Sequence, residues 1–569
     1  MSMTIYEQLS IERKQLQAEG ELPMWFTTGG WQLFKDKYLY QAVGLKDTYE
    51  RIAKTAARHL PENMSDDYEV IFFDLMWKGW LALSTPVLSN MGTNKGMPVS
   101  CSGQYVEDSI NGFYESYKEV ALLTQRGFGT SSYLGDIRPR GTPISAGGTA
   151  SGVVDVITSF VDDMRKVAQG TARRGAWAGY LPIDHGDFFE VCDYLQHYPD
   201  DLNLGWIVTD DFIIKLNLGD KDALTRYQRA LKTKAVTGKG YFFLVDNVNR
   251  QNPKCYTEWD YKVLASNLCI EISLASSEEE TFTCVLSSMN AAKFNEWKDT
   301  TAVRDATVFL DCVAAEFISL AEGQPGFDKA VKFTKRHRAL GLGVLGFHTY
   351  LQQEGIPFES LEAQFVNANM FRYIKKEALA SSKWMYENFP DTGYPLVAGC
   401  EGRRNTHLLA VAPNSSSALI CGGVSQGIEP VVANLYNQPT AAGEIYRVNP
   451  VFLQIAKDRG KFNDALVDEL INTEGSVQHL DWLSDEEKMV FKTAYEIDQE
   501  VILRLASQRQ EHICQSQSLN LFFDADEDEE NISRIHQIAF NDRRIKGLYY
   551  MRTKAGVQAS RGECISCEG

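Results

Sequence analysis

Asn267-Leu268-Cys269-Ile270-Glu271-Ile272 alternates polar and apolar side chains residue by residue. As a strand, its period of two sends Asn267, Cys269 and Glu271 to one face and Leu268, Ile270 and Ile272 to the other. An amide, a thiol and a carboxyl then converge. Burying a carboxyl beside a thiol costs stability unless both are used, so the trio reads as chemistry. An edge strand turning its polar side to water competes evenly with that reading on this segment alone.

Outward from this stretch, short strand-like runs alternate with helical ones between residues 98 and 525. Strands are expected at Leu204–Val208, Tyr241–Val245, Leu268–Ile272, Cys284–Ser287, Leu408–Ala412 and Leu519–Phe523, and helices over Ala302–Ala321 and Glu359–Asn388. Such alternation predicts an α/β architecture with much parallel sheet. Residues 1–97 read as mainly helical, with apolar residues at three- and four-residue spacing over Asp47–Leu60 and Ser65–Leu83. Ser65-Asp66-Asp67 offers the second of these an N-cap with acidic first-turn residues. A segment over 526–552 follows the α/β region, and 553–569 is small and polar, as expected of a mobile tail.

The bulk composition narrows the function classes. With 569 residues, 44% of them hydrophobic and 23% charged, the chain is an ordinary globular one. A net charge of −18 argues against a nucleic-acid coat, which needs a basic face. Small phosphates stay possible, because backbone N–H groups and helix N-termini hold them locally. The first residues carry no apolar signal region, and no stretch is long and apolar enough to span a membrane. Eleven cysteines, an odd number, scattered through a long chain point to a reducing cytoplasm. Any working disulfide is then catalytic rather than structural.

Each motif has a plain competitor. Gly341-Leu-Gly343-Val-Leu-Gly346 matches a dinucleotide fingerprint in letters but follows Arg336-His-Arg338 rather than a clean strand, which favours glycines that permit close packing. Pro413-Asn414-Ser415-Ser416-Ser417 leads from an apolar run into a helix start, a good phosphate cradle where a plain N-cap needs one serine. Gln169-Gly-Thr-Ala-Arg173-Arg174-Gly-Ala176 is a loop with two guanidiniums, equally suited to ordering over a nucleotide or to a solvated turn. Cys564-Ile-Ser-Cys567 lacks a second ligand pair, so a zinc site is disfavoured and thiol–disulfide exchange preferred. Tyr549-Tyr550 alone says little.

Taken in order, these residues resemble the large, catalytic subunit of a class I ribonucleotide reductase. The resemblance rests on Ser84-Thr85-Pro86, Ser100-Cys101, Asn267-Leu-Cys269-Ile-Glu271, Cys284, Pro413-Asn-Ser-Ser-Ser417, Gly427-Ile-Glu-Pro430, Asp498 with Gln515-Ser-Gln-Ser518, Tyr549-Tyr550 and the cysteine tail. It implies a ten-stranded α/β barrel over 98–525 with a central finger loop holding Cys269 at its tip. By the same resemblance Cys269 becomes a thiyl radical and removes the 3′ hydrogen of a ribonucleotide, Glu271 is the general base, and Asn267 orients the substrate. Cys101 and Cys284 are the reducing pair, re-reduced by Cys564 and Cys567, which a thioredoxin or glutaredoxin serves in turn. Tyr549 and Tyr550 relay the radical from a separate ferritin-like small subunit. The radical metallocofactor resides on that partner, and neither a cofactor nor a metal is expected in this chain.

Substrate phosphates are expected at Pro413, Asn414, Ser415, Ser416 and Ser417, with Thr85 and Ser100 nearby. A deoxynucleoside triphosphate or ATP effector is expected at Asp108, Thr124 and Arg138 at a homodimer interface, with Gln169 and Arg173 carrying the signal to the substrate base. Ser145 stands where family members often have a second arginine for effector phosphate. Met1 falls almost directly before the helical region around Trp31-Gln-Leu-Phe-Lys-Asp-Lys-Tyr38, so the regulatory ATP-cone of longer members is expected to be missing, with on/off control by dATP lost and specificity control kept. Two other functions compete: a cobalamin-dependent class II reductase, and a non-catalytic nucleotide-binding regulatory homologue. The tyrosine pair speaks against the first and the intact set of five cysteines against the second.

Overall fold

The computed structural model describes residues 5–554 except 42, 146, 170–172, 390–399 and 441–442, with backbone alone at 5, 168–169, 173–174, 400, 437–440 and 443–446. Ten extended segments close into a ring built from two halves. In the first, Cys101–Tyr105, Gly129–Tyr133, Ala176–Pro182, Asn203–Val208 and Tyr241–Leu244 pair in that order, all parallel. The second begins with Phe282–Asn290 and its parallel neighbour Leu340–Leu345. Parallel bridges then join Leu342 to Leu409 and Val411 to Gln517, and Leu521–Phe523 runs parallel to Met551–Thr553. Two antiparallel seams unite the halves: Cys101–Tyr105 against Phe282–Asn290, and Tyr241–Leu244 against Gly547–Leu548. This is the ten-stranded barrel that the resemblance implied.

Parallel neighbours require long crossovers, and helices supply them. Ile110–Gln125, Val153–Lys166 and Phe188–His197 serve the first half; Ala302–Ala321, Leu361–Asn388 and Gln499–Gln510 serve the second. Alternation along each strand then sorts side chains between two cores. Ala176, Ala178, Tyr180, Tyr241, Phe243, Cys284 and Leu286 point into the barrel. Trp177, Leu181, Phe242, Leu244, Val285 and Met289 meet the surrounding helices. Two inward positions of Leu340–Leu345, 341 and 343, are glycines, and a Cβ added at Gly341 would lie 2.4 Å from Leu286 Cδ2 and 3.0 Å from Cys284 Sγ. Close packing, not a dinucleotide, explains that motif. A smaller core around Phe452, Leu466, Leu470 and Phe491 lies apart from both.

Three expectations are corrected. Leu268–Ile272 is not a strand: residues 268–270 form a turn inside the barrel, and Ile270 adopts a left-handed φ of 67°. The second N-terminal helix runs Glu62–Trp77, starting after Pro61 rather than at Ser65, whose hydroxyl instead donates to Ala57 O at 3.1 Å. It also stops before Leu83, because Gly79 takes a positive φ and closes a Schellman-type cap, with Trp80 N on Leu75 O at 3.0 Å. Leu81–Leu83 then pairs as a strand with residues 287–289. Elsewhere helices fall where expected, Ala302–Ala321 among them. No helix among the described residues is long and apolar enough to cross a membrane.

A buried ionic knot fixes two barrel strands at their starts. Asp311 accepts from Arg338 Nε and Arg404 Nε at 2.8 Å each and from Asn405 Nδ2 at 2.9 Å. The two guanidiniums hold its carboxyl far below the usual range despite full burial. Asp311→Asn removes the buried carboxylate that both cations share, so a loss of about 3–5 kcal/mol is expected. Chemical denaturation of the two proteins side by side measures it; a difference under 1 kcal/mol would show that water screens the knot.

Candidate functional site

A loop running up the barrel interior must pair its own backbone, since buried N–H and C=O groups are costly when orphaned. The side chains around residues 266–273 do this. Ser131 Oγ donates to Ser266 O at 2.7 Å, and Tyr180 OH to Asn267 O at 2.6 Å. Ser266 Oγ donates to Ile272 O at 2.5 Å, and Asn267 Oδ1 accepts from Ile272 N at 3.2 Å. Ser518 Oγ bonds Cys269 O at 2.7 Å, Ser516 N bonds Glu271 O at 2.9 Å, and Gln515 Oε1 accepts from Ser273 N at 3.1 Å. The tip is therefore held from both halves of the barrel, with Leu268, Ile270 and Ile272 buried in the barrel's own core.

Cys269 and Glu271 open onto a cavity that Cys101 also lines. Cys101 stands directly opposite Cys284 across the first antiparallel seam. Opposed residues in such a ladder have Cα atoms roughly 4.5–5.5 Å apart, inside the range a disulfide accepts. Each sulfur meets an amide: Asn267 Nδ2 donates to Cys101 Sγ and Gln515 Nε2 to Cys284 Sγ, both at 3.3 Å. Burial pushes the Cys284 thiol well up, with smaller contributions from Cys101 and Glu271. Glu271 is buried and accepts from Ser518 Oγ at 3.2 Å. Asn267 thus reaches the site through Cys101 rather than from the same face of a strand.

The far wall of the cavity is made by Thr85, Ser100 and residues 413–417. Two short helices, Thr85–Asn90 and Ser415–Ile420, begin there, and their first N–H groups lack intrahelical partners. Ser417 Oγ donates to Leu83 O at 2.8 Å, which ties the two helix starts into one wall, and Ser415 Oγ donates to Gln426 Oε1 at 2.9 Å. Asn414 takes a left-handed φ of 60°, with its amide engaged by Ala412 O and Ser288 Oγ. It shapes the turn into the helix.

Tyr549 and Tyr550 sit on the other seam. Their rings are 4.0 Å apart between centroids, and Tyr241 packs against both, at 4.6 and 5.3 Å. Both belong to the same interior core as Leu268 and Ile270. Gly547, two residues earlier, lies so close to the loop tip that an added Cβ would be 2.9 Å from Ile270 Cδ1. Lys234 is fully buried and donates to the carbonyls of Tyr549 and Gly240. Burial brings its ammonium down to about 7.

The other predicted positions are not gathered in this way. Arg138 Nε binds Asp108 Oδ2 at 2.5 Å, at the start of helix Ile110–Gln125. Thr124 is buried near the opposite end of that helix, about 22 Å away by helical rise, with its hydroxyl 3.6 Å from Met164 Sδ. Ser145 is exposed. Gln169 and Arg173 pair backbone to backbone, but their side chains lie outside the described residues, as do Cys564 and Cys567. Residue-by-residue reading missed Tyr180, Ser131 and Lys234, which carry no local signal. Gln515 and Ser518 were quoted only as part of a motif; an unbroken polar run between Ile513 and Leu519 is the clue to their role.

Comparisons with known proteins agree with this geometry. The family described as ribonucleotide reductase, barrel domain, matches residues 99–227, 219–389 and 398–551, and the one described as ribonucleotide reductase, all-alpha domain, matches 24–96. A ribonucleoside-diphosphate reductase large subunit of Invertebrate iridescent virus 3 is 28% identical over 636 residues, covering 96% of this chain and 98% of its own. The large subunit of Danio rerio is 26% identical, covering 85% of this chain and 70% of its own. Among solved structures, the Actinobacillus ureae class Id ribonucleotide reductase alpha subunit superposes with a TM-score of 0.85 at 34% identity, over 94% of this chain and 99% of that one.

Proposed function

Because the chain belongs to the ribonucleotide reductase large-subunit family, we propose that it reduces ribonucleoside diphosphates to 2′-deoxyribonucleoside diphosphates in the Cys269 cavity, with the radical supplied by a separate small subunit. The observation that carries this reading is the Cys101–Cys284 opposition beside Cys269 and Glu271. As a thiyl radical, Cys269 takes the 3′ hydrogen while Glu271 accepts the 3′-hydroxyl proton. The 2′-hydroxyl leaves as water. Cys101 and Cys284 supply the two electrons and two protons for that loss and end as a disulfide, and Cys269 returns its hydrogen to C3′. Ser518, bonded to both Glu271 and the Cys269 carbonyl, sets the distance between base and radical.

The paired helix starts at Thr85 and Ser415 suit the substrate phosphates, with N–H groups and hydroxyls aimed at an anion. The packed tyrosines favour a radical relay from a ferritin-like partner over a cobalamin-dependent reaction, which has no use for them. Cys564 and Cys567 re-reduce Cys101 and Cys284 and are served by thioredoxin or glutaredoxin in the cytoplasm. A homodimer, with a deoxynucleoside triphosphate or ATP effector at Asp108 and Arg138, completes the proposal; Thr124, buried at the far end of helix Ile110–Gln125, is left out of the site. Reconstitution with the small subunit is the test: CDP reduction should require both chains and a dithiol. Turnover with adenosylcobalamin and no second subunit would instead establish the cobalamin class.

A further inference from the structure

Gly427-Ile428-Glu429-Pro430 borders a second cavity that the reaction scheme leaves unused. Glu429, Gln426, Val432, Ala433, Tyr436 and Arg447 are among its walls. Three connections fix where it lies. Gln426, in its wall, accepts from Ser415 Oγ of the catalytic cavity at 2.9 Å, so the two cavities share a partition. Glu429 accepts from Asn520 Nδ2 at 2.5 Å, and the same Asn520 accepts from Tyr550 N at 3.0 Å. Lys554, the last described residue, pairs with Asp524 at 2.9 Å and with Glu474 at 3.4 Å. Next to Glu474, Gly475 packs so tightly on Ala433 that an added Cβ would lie 2.4 Å from it. The described chain therefore ends close to the second cavity.

We propose that this second cavity is the docking groove of residues 555–569, through which Cys564 and Cys567 travel to Cys101 and Cys284. The inference rests on the functional reading above and adds the route. Cys564 is ten residues beyond Lys554, and ten extended residues reach roughly 33–36 Å, ample for crossing a single cavity. Charge agrees with the assignment. Arg447, only 6% exposed, brings a positive charge to the wall, where its Nη2 bonds Val424 O at 2.9 Å and its guanidinium covers the Tyr436 ring at 5.9 Å. Glu563 and Glu568 flank the two tail cysteines. Arginine in such a wall recognises a carboxylate with defined geometry, which would hold the dithiol in register at the groove.

Two readouts test this on the full chain with its small subunit. Val432→Cys places a thiol in the groove, and mild oxidation should link it to Cys564 or Cys567, as read by peptide mass spectrometry. Val70→Cys, on the exposed face of helix Glu62–Trp77, should give no such link. Arg447→Ala should lower thioredoxin-driven turnover by roughly ten-fold or more while leaving turnover driven by dithiothreitol, which enters the catalytic cavity directly, unchanged. Equal linking at residues 70 and 432, a link from Val432→Cys to the small subunit, or equal losses with both reductants would each overturn the proposal. A wild-type complex inactive with either reductant would sink the functional reading, while the Val432→Cys link would still report on docking.

Discussion

Cys269→Ser is expected to abolish turnover while leaving nucleotide binding intact. Serine occupies nearly the same volume, and the Cys269 position is held through its backbone carbonyl by Ser518, which the substitution does not touch. Neither the loop tip nor the wall at Ser415–Ser417 should move. The chemistry should fail completely, because an alcohol O–H is much harder to oxidise to a radical than a thiol S–H. Removing the reacting atom of an enzyme typically costs on the order of 10⁴-fold or more. Product chromatography of dCDP gives the rate, and calorimetric titration with CDP and effector gives the binding. Activity within ten-fold of wild type would rule Cys269 out as the hydrogen-abstracting group.

Tyr549→Phe and Tyr550→Phe should be as damaging to turnover yet nearly silent in stability. Each keeps the ring that packs at 4.0 Å against its neighbour and at about 5 Å against Tyr241, so the second seam stays filled. What disappears is the phenol, the part able to lose an electron and a proton. Losing one side-chain hydrogen bond accounts for about 1 kcal/mol. The expected result is a complex that assembles with the small subunit, melts near the wild-type temperature and forms no dCDP. Either variant turning over at the wild-type rate would exclude that tyrosine from the relay.

Periodicity read the crossover helices and most strands correctly because those elements bury one face against a continuous core, as Leu361–Asn388 does along Ala363, Asn367, Met370, Ile374 and Ala378. It failed at residues 267–272 for an instructive reason. Alternation of polar and apolar residues signals a surface with two environments, and a loop threaded through a barrel has two environments as well: a cavity on one side and Leu268, Ile270 and Ile272 packed on the other. Whether a stretch is ladder or loop is decided by where its backbone finds partners. Those partners, Ser131, Tyr180, Gln515 and Ser518, lie far away in sequence. The cysteine pair was legible only through resemblance, since strand register across a seam has no local signature. Gly79 was legible and overlooked, a left-handed cap that ends a helix within otherwise continuous apolar spacing.

The second seam has a consequence for how the protein is born. Gly547–Leu548 is the only partner shown for the outer edge of Tyr241–Leu244 among the described residues, and it is made long after that strand. Until then a nascent chain exposes an unpaired strand of Tyr241-Phe242-Phe243-Leu244, an edge prone to wrong pairing. Folding domain by domain during synthesis cannot relieve this, because the missing strand is still within the ribosome. A chain stopped short of residue 547 should therefore aggregate rather than fold with reduced activity. Synthesis of residues 547–548 is thus the step that closes the barrel edge beside the Cys269 loop.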